Sequence, residues 1–231
     1  MSPSGDGVVW SWRMGVVPYH EAVALQKRLE VQRQDGRIPD VLLLLEHPPT
    51  YTRGRRSTAD ELPMGEAWYR AQGIEVLDSD RGGRVTYHGP GQLVGYPIVS
   101  LRPYGDDVHA YVRRIERLIV DVLATYGIAA GPLEGLTGVW TANRRKIGSI
   151  GIHVSHGVTR HGFAINVNND LQPFEWIVPC GVEHCRMSSV ARELRAAQDM
   201  DDFAARVEAE FGRLFERNVQ KPDEVAVALP A

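Results

Sequence analysis

Residues 81–92, RGGRVTYHGPGQ, hold five glycines or prolines in twelve positions. Between them stand Arg81, Arg84, Thr86, Tyr87, His88 and Gln92. That is more polar chemistry than a turn requires. Glycine permits positive φ and lets a ligand reach the backbone. Exposed N–H groups in such a loop form a concave receptor for oxygen atoms. An ordinary Gly/Pro-rich connection between strands carries the same punctuation, so the loop by itself assigns no function.

Cys180 lies between Pro179 and Gly181, outside any periodic segment. A core cysteine usually sits within an apolar strand or helix, whereas a Pro-Cys-Gly turn presents its side chain from a fixed backbone. Two readings stand for it: an inert, half-buried thiol and a nucleophile. Cys185, between His184 and Arg186, has no such framing. Cys180, His184 and Cys185 could offer three ligands to zinc. A structural zinc site takes four, usually with a distant second pair, and a chain with two cysteines has none. No metal is expected. His88, His156 and His161 are scattered and read as hydrogen-bonding residues. A nucleophilic cysteine must ionise, so a nearby positive charge has to lower a pKa of about 8.5. Histidine is the usual partner, and a close, partly desolvated lysine can do the same work. Lys146 opens the segment that carries Ser149, Ile150 and Gly151, although most lysines are solvated surface charges.

The 231 residues are enough for a sizeable core, and 43% hydrophobic and 24% charged content suit a soluble globular protein. A formal net charge of −3 offers no global basic field for nucleic acid. No apolar run approaches the ~20 residues of a membrane span, and the first seven residues lack the pattern of a signal peptide. No membrane partner and a cytoplasmic location are expected. A single catalytic domain is expected over 1–231, with its core at about 8–217 and both termini loosely held.

Periodicity predicts strands at 8–14, 41–45, 50–52, 74–78, 93–99, 136–141, 147–154 and 158–167, with a hairpin turn at 155–157. It predicts helices at 19–34, 66–72, 106–126, 188–194 and 200–215. The clearest is 106–126, where Val108, Tyr111, Val112, Ile115, Leu118, Ile119, Val122 and Leu123 form one stripe. Asp106 is the expected cap at its start, and Gly127 the expected stop. Residues 53–65 read as a mobile polar surface loop. Arg53, Arg55 and Arg56 there are either a solvated face or a contact patch for an acidic partner. The fold class is α+β (mixed α/β), a mixed β-sheet flanked by helices.

Five motifs occur in one order: RGGRVTYHGPGQ at 81–92, LTGVW at 136–140, RKIGSIG at 145–151, HGFAINVNNDL at 161–171 and IVPCG at 177–181. Together they resemble the lipoyl(octanoyl) transferases, and the spacing of 34 from Lys146 to Cys180 also fits. The resemblance covers roughly residues 41–190. It implies a lipoate/biotin-protein-ligase-type catalytic fold and a Cys180–Lys146 dyad. It also implies substrate-binding residues Arg81, Gly82, Gly83, Arg84, Val85, Thr86, Tyr87, His88, Ser149, Ile150, Gly151, Gly162, Phe163 and Ala164, with Tyr87 and Phe163 as apolar walls. Gly148 departs from the family, which often has alanine there; the expected effect is on packing behind the pocket.

The implied reaction moves an octanoyl group from octanoyl-acyl carrier protein, through a cysteine thioester, to a lysine amine of a lipoyl domain. The implied acceptors are the E2 subunits of 2-oxoacid dehydrogenases and the glycine cleavage H protein. No cofactor, ATP or metal is needed, and a monomer is expected. Two rivals share the features. An ATP-dependent lipoate or biotin ligase would share the glycine loop but need no cysteine. A non-catalytic acyl- or carrier-binding module would keep the pocket and have no use for the pairing.

Overall fold

Five consecutive apolar residues, 41–45, need cover on both faces of a sheet. The structure is a computed structural model that describes residues 7–178 and 185–222. The chain runs β1 (Val8–Val16), α1 (Tyr19–Gln34), β2 (Asp40–Glu46), β3 (Thr50–Arg53), α2 (Glu66–Ala71), β4 (Glu75–Asp78), β5 (Thr86–His88), β6 (Gln92–Ile98), α3 (Val108–Ala124) and β7 (Ala130–Leu133). It continues through β8 (Leu136–Thr141), β9 (Lys146–Ser155), β10 (Val158–Asn166), α4 (Val190–Leu194), α5 (Met200–Phe215) and β11 (Asn218–Gln220). Short 3-10 turns lie at Ala59–Glu61, Arg102–Tyr104 and Gln172–Trp176.

Eight strands form one sheet in the order β11-β1-β2-β6-β10-β9-β8-β7. The pairs β11–β1 and β1–β2 are parallel and the rest antiparallel, so the sheet is mixed, as expected. The apolar run of β2 sits inside it. Leu42 and Leu44 join the core beneath α3 and α5, while Val41, Leu43 and Leu45 join the core beneath α1. A second, three-stranded sheet in the order β4-β3-β5 packs with α2 around Tyr51, Tyr69, Tyr87 and Phe174. This small sheet, and the strand that the segment Thr86–His88 contributes to it, were not expected from the sequence.

Helix α1 shows how the outer layer meets the site. Ala22, Leu25 and Leu29 are buried, while Val31 is exposed. The same inward face carries Gln26 and Glu30. Glu30 accepts from Arg160 of β10 at 2.7 Å, and Gln26 Oε1 accepts from the His161 N–H at 2.7 Å. Two polar residues on a buried stripe are thus paired to β10.

Two expectations need correction. The cap of α3 is Asp107, whose carboxylate accepts from His109 and Ala110 N–H at 2.8 and 3.0 Å. Asp106 adopts a left-handed φ of 56° instead, and Val108 lies exposed at the helix start. The 53–65 segment is also pinned. Arg55 and Arg56 N–H bond the Arg81 and Gly83 carbonyls at 3.0 Å, and Glu61 is buried against Arg84 and the Val85 N–H. Arg53 is committed to Asp78 and Glu66, at 2.7 and 2.6 Å, so it does not belong to an open patch.

Loss of an N-cap carboxylate costs about 1 kcal/mol. Asp107→Ala should lower the urea-unfolding free energy by about that amount. Asp106→Gly, which relieves a left-handed backbone, should not lower it.

Candidate active site

The glycine loop is fastened to both sheets. Buried Arg81 donates to the Thr52 carbonyl and hydroxyl of β3, both at 2.7 Å. The next residue, Gly82, donates its N–H to the Ile152 carbonyl of β9 at 2.8 Å. A pocket of about 280 Å³ lies between these attachments. The side chain of Arg81 is therefore part of its wall, held from behind by Thr52, rather than a free group awaiting a ligand.

Of the residues implied by the sequence, Arg81, Gly83, Arg84, Val85, Thr86, His88, Lys146, Ser149, Ile150, Gly151, Gly162, Phe163 and Ala164 line this pocket. Gly82 and Tyr87 do not. Gly82 serves as the backbone staple to β9. Tyr87 alternates away from Thr86 and His88 along β5, and its ring lies 5.5 Å from both Tyr51 and Phe174. Its expected place as a pocket wall is taken by Tyr19 and Tyr96, which the sequence reading missed along with Val94, Trp140 and Cys185. Tyr19 opens α1, remote from every motif, so no local signal marks it. The only sequence signal for Cys185 was its closeness to Cys180.

Lys146 is 3% exposed. Its ammonium lies 5.1 Å from the Trp140 ring centroid, within cation–π range. Room for its stem comes from Gly138, whose φ is 123°. A Cβ at Gly138 would sit 2.9 Å from Lys146 Cε and 2.6 Å from the Gly148 carbonyl. Gly148 itself faces Ile119 and Val139 behind the pocket, where a Cβ would meet Ile119 at 3.1 Å. The departure at Gly148 thus bears on helix packing.

Cys180, with Pro179, Gly181 and His184, lies outside the described residues. The flanks of that stretch are described. Val178 N–H bonds the Glu61 carbonyl at 3.1 Å, and the Lys146 N–H bonds the Arg186 carbonyl at 2.8 Å. Ser188 N–H returns to the Lys146 carbonyl at 2.8 Å. The chain leaving the Cys180 segment is therefore laid directly alongside Lys146.

Buried, neutral imidazoles stand in the inner part of the pocket, His88 and His161, and behind it, His47. His88 Nδ1 donates to Gln92 Oε1 at 2.7 Å, and burial holds its imidazole well below its ordinary pKa. His47 donates from Nδ1 to the Val17 carbonyl at 2.6 Å and accepts from Tyr96 Oη at 2.7 Å. Burial pulls it down to about 4. His161 pairs through Nε2 with Asp80 at 2.7 Å. That hydrogen bond, with Arg160 beside it, holds the Asp80 carboxyl far below the usual carboxylate range. Burial lowers the His161 imidazole, so a neutral ring donates to an ionised carboxylate.

The lipoyl protein ligase A/B catalytic-domain family model matches residues 18–212. The chain is 46% identical over 204 residues to an octanoyltransferase of Solibacter usitatus, covering 88% of this chain and 91% of the relative. An octanoyltransferase of Chloroflexus aurantiacus is likewise 46% identical over 204 residues, with 87% and 92% covered. Among solved structures, the bipartite lipoate protein ligase of Thermoplasma acidophilum is similar in fold at a TM-score of 0.74 and 17% identity, with 95% of this chain and 89% of that chain covered. A lipoate-protein ligase A bound with ATP gives 0.70 at 16% identity, with 95% and 90% covered.

Two outcomes follow from this geometry. Gly138→Ala should disturb the Lys146 stem and lower both stability and any Lys146-dependent activity, read by urea titration and turnover. His47 is neutral when folded and titrates at about 6.5 when unfolded. Between about pH 6.5 and its folded value of about 4 the unfolded chain holds an extra proton. Stability should therefore drop as the pH is lowered through that window, from about 6.5 towards about 4. His47→Gln should reduce the slope of unfolding free energy against pH by about one proton.

Proposed function

The chain belongs to the lipoyl protein ligase A/B catalytic-domain family and, within it, to the octanoyltransferases, and from that premise we propose the route its acyl group takes. The enzyme is an acyltransferase of the lipoylation type. Its donor is an octanoyl thioester of acyl carrier protein. Its acceptor is a lysine amine on a lipoyl domain, of 2-oxoacid dehydrogenase E2 subunits or the glycine cleavage H protein.

Cys180, as a thiolate beside the Lys146 ammonium, attacks the thioester carbonyl carbon. The carbon–sulfur bond to the carrier breaks, and Lys146 gives its proton to the departing thiolate. The product is an acyl-Cys180 thioester with a neutral Lys146 amine. The acceptor amine then attacks that thioester, and Lys146 takes up the amine's proton. The carbon–sulfur bond to Cys180 breaks, which restores the thiolate–ammonium pair. Exchange of one thioester for another is nearly even in energy, and thioester to amide runs downhill. The sequence of steps uses no ATP.

The observation that carries this reading is a buried lysine, 3% exposed, lining a pocket beside Ser149, Gly151, Gly162 and Ala164. A lysine placed for surface solvation would not be there. The ligases of similar fold share 16–17% identity with this chain, a likeness of fold alone. The relatives at 46% identity favour transfer over ATP-driven ligation.

Mass spectrometry after exposure to octanoyl carrier protein should show one octanoyl adduct, located on Cys180. Cys180→Ser should lose it, because a serine hydroxyl without a strong base is not ionised near neutral pH. Cys185→Ser should keep it. In Lys146→Ala the pH at which iodoacetamide labels Cys180 should rise; identical profiles would sink the dyad. At the rim, Arg55 and Arg56 are exposed. Replacing both with alanine should raise KM for the carrier protein at low salt more than it lowers kcat.

A further inference from the structure

The pocket crosses the sheet. Its exposed lining residues are Arg56, at the rim, and Gly135 and Thr137 of the β7–β8 hairpin, whereas Val94 and Tyr96 on β6 are buried. Between them lie β9 and β10, with Ala164 paired to Ser149 and Gly162 paired to Gly151. These small residues keep the floor low. Gly162 cannot be larger, since a Cβ there would stand 2.3 Å from the Gly95 carbonyl. At about 4.8 Å between strands, the path from β9 to β6 is roughly 10 Å. An extended chain covers about 3.8 Å per three bonds, so the seven carbon–carbon bonds of an octanoyl group span roughly 9 Å.

At the β6 end stand Tyr96, Tyr19 and His161, each no more than 3% exposed. Their polar ends are fixed by partners outside the pocket. Tyr96 Oη donates to His47, Tyr19 Oη to Ser79 and His161 Nε2 to Asp80, each at 2.7 Å. His161 reaches this wall through an unusual backbone. Neighbours in a strand point to opposite faces, yet Arg160 and His161 both bond Asp80. A φ of 55° at His161 accompanies this, a conformation that non-glycine residues rarely adopt. Retreat of any of these rings would break a buried hydrogen bond, which costs more than one added methylene gains.

Resting on the acyl-transfer reading of this pocket, we propose that Tyr96, Tyr19 and His161 form a hydrogen-bonded stop that sets the acyl chain-length limit near eight carbons. They are specificity residues and take no part in bond making.

The test is kcat/KM across hexanoyl to dodecanoyl carrier thioesters. Wild type should fall by about tenfold or more beyond the octanoyl chain, the scale on which a pocket reads methylenes. Tyr96→Leu and Tyr19→Leu open the same wall from different elements. Each should raise the dodecanoyl-to-octanoyl ratio by about tenfold or more. An unchanged ratio in a variant that melts like wild type overturns the stop. A measurement on wild type alone covers variants that fail to fold: calorimetric binding of saturated fatty acids of six to fourteen carbons. Affinity should climb with each methylene up to the octanoyl length and then cease to climb. A steady climb to fourteen carbons overturns the proposal. If no thioester of any length is turned over while that ceiling persists, the transfer reading fails and the stop stands.

Discussion

The two sheets meet at the glycine loop, which is held by a buried guanidinium on one side and a peptide N–H on the other. Arg81 is hydrogen-bonded to Thr52 in the small sheet, while the peptide of its neighbour Gly82 is bonded to Ile152 in the large one. A planar guanidinium with several fixed donors suits such a junction, because it satisfies a carbonyl and a hydroxyl together. The pocket is the space left between the sheets. Its shape therefore depends on this connection, and so does the position of His88, which sits on the strand that follows the loop.

Charge is sorted around that space. Asp80, Arg160 and Glu30 form an ion-paired group behind the inner wall. Toward the pocket the group presents the neutral ring of His161, and His47 and His88 are neutral as well. A cationic wall would attract water and anions into a space suited to an apolar chain. Lys146 is the buried lysine of the lining, packed on Trp140 at the end nearer the β7–β8 hairpin. Lys146 and the tyrosines of the inner wall thus stand on different elements of the pocket.

Much of this was legible in the chain. Residues 200–215 carry a clean helical stripe and 19–34 a less regular one, and both helices have those bounds. The motifs at 81–92, 145–151 and 161–171 meet at one pocket because β9 and β10 are hairpin neighbours joined at 155–157. What escaped has physical causes. Strand β11 is three residues long, too short for a period to show. Strand β7 contains Gly131 and Pro132, which argue against a strand except at a sheet edge, and the edge is where it lies. Tyr19 and Tyr96 are ordinary apolar-stripe residues by sequence. Their role at the site arises because α1 crosses over β6 and β10, a fact of packing with no local signature. Asp107 rather than Asp106 caps α3 because Asp106 is occupied in a left-handed turn after Gly105.

Strand β11 pairs in parallel with β1, matching Val8 with Asn218 and Trp10 with Gln220. This contact joins the two ends of the described chain. Until residue 220 has left the ribosome, the outer edge of β1, with Trp10 close by, has no strand beside it. An unpaired edge is a template for intermolecular pairing, and contacts of such long sequence separation form slowly. The nascent chain therefore carries an adhesive edge until β11 has been made and laid beside β1.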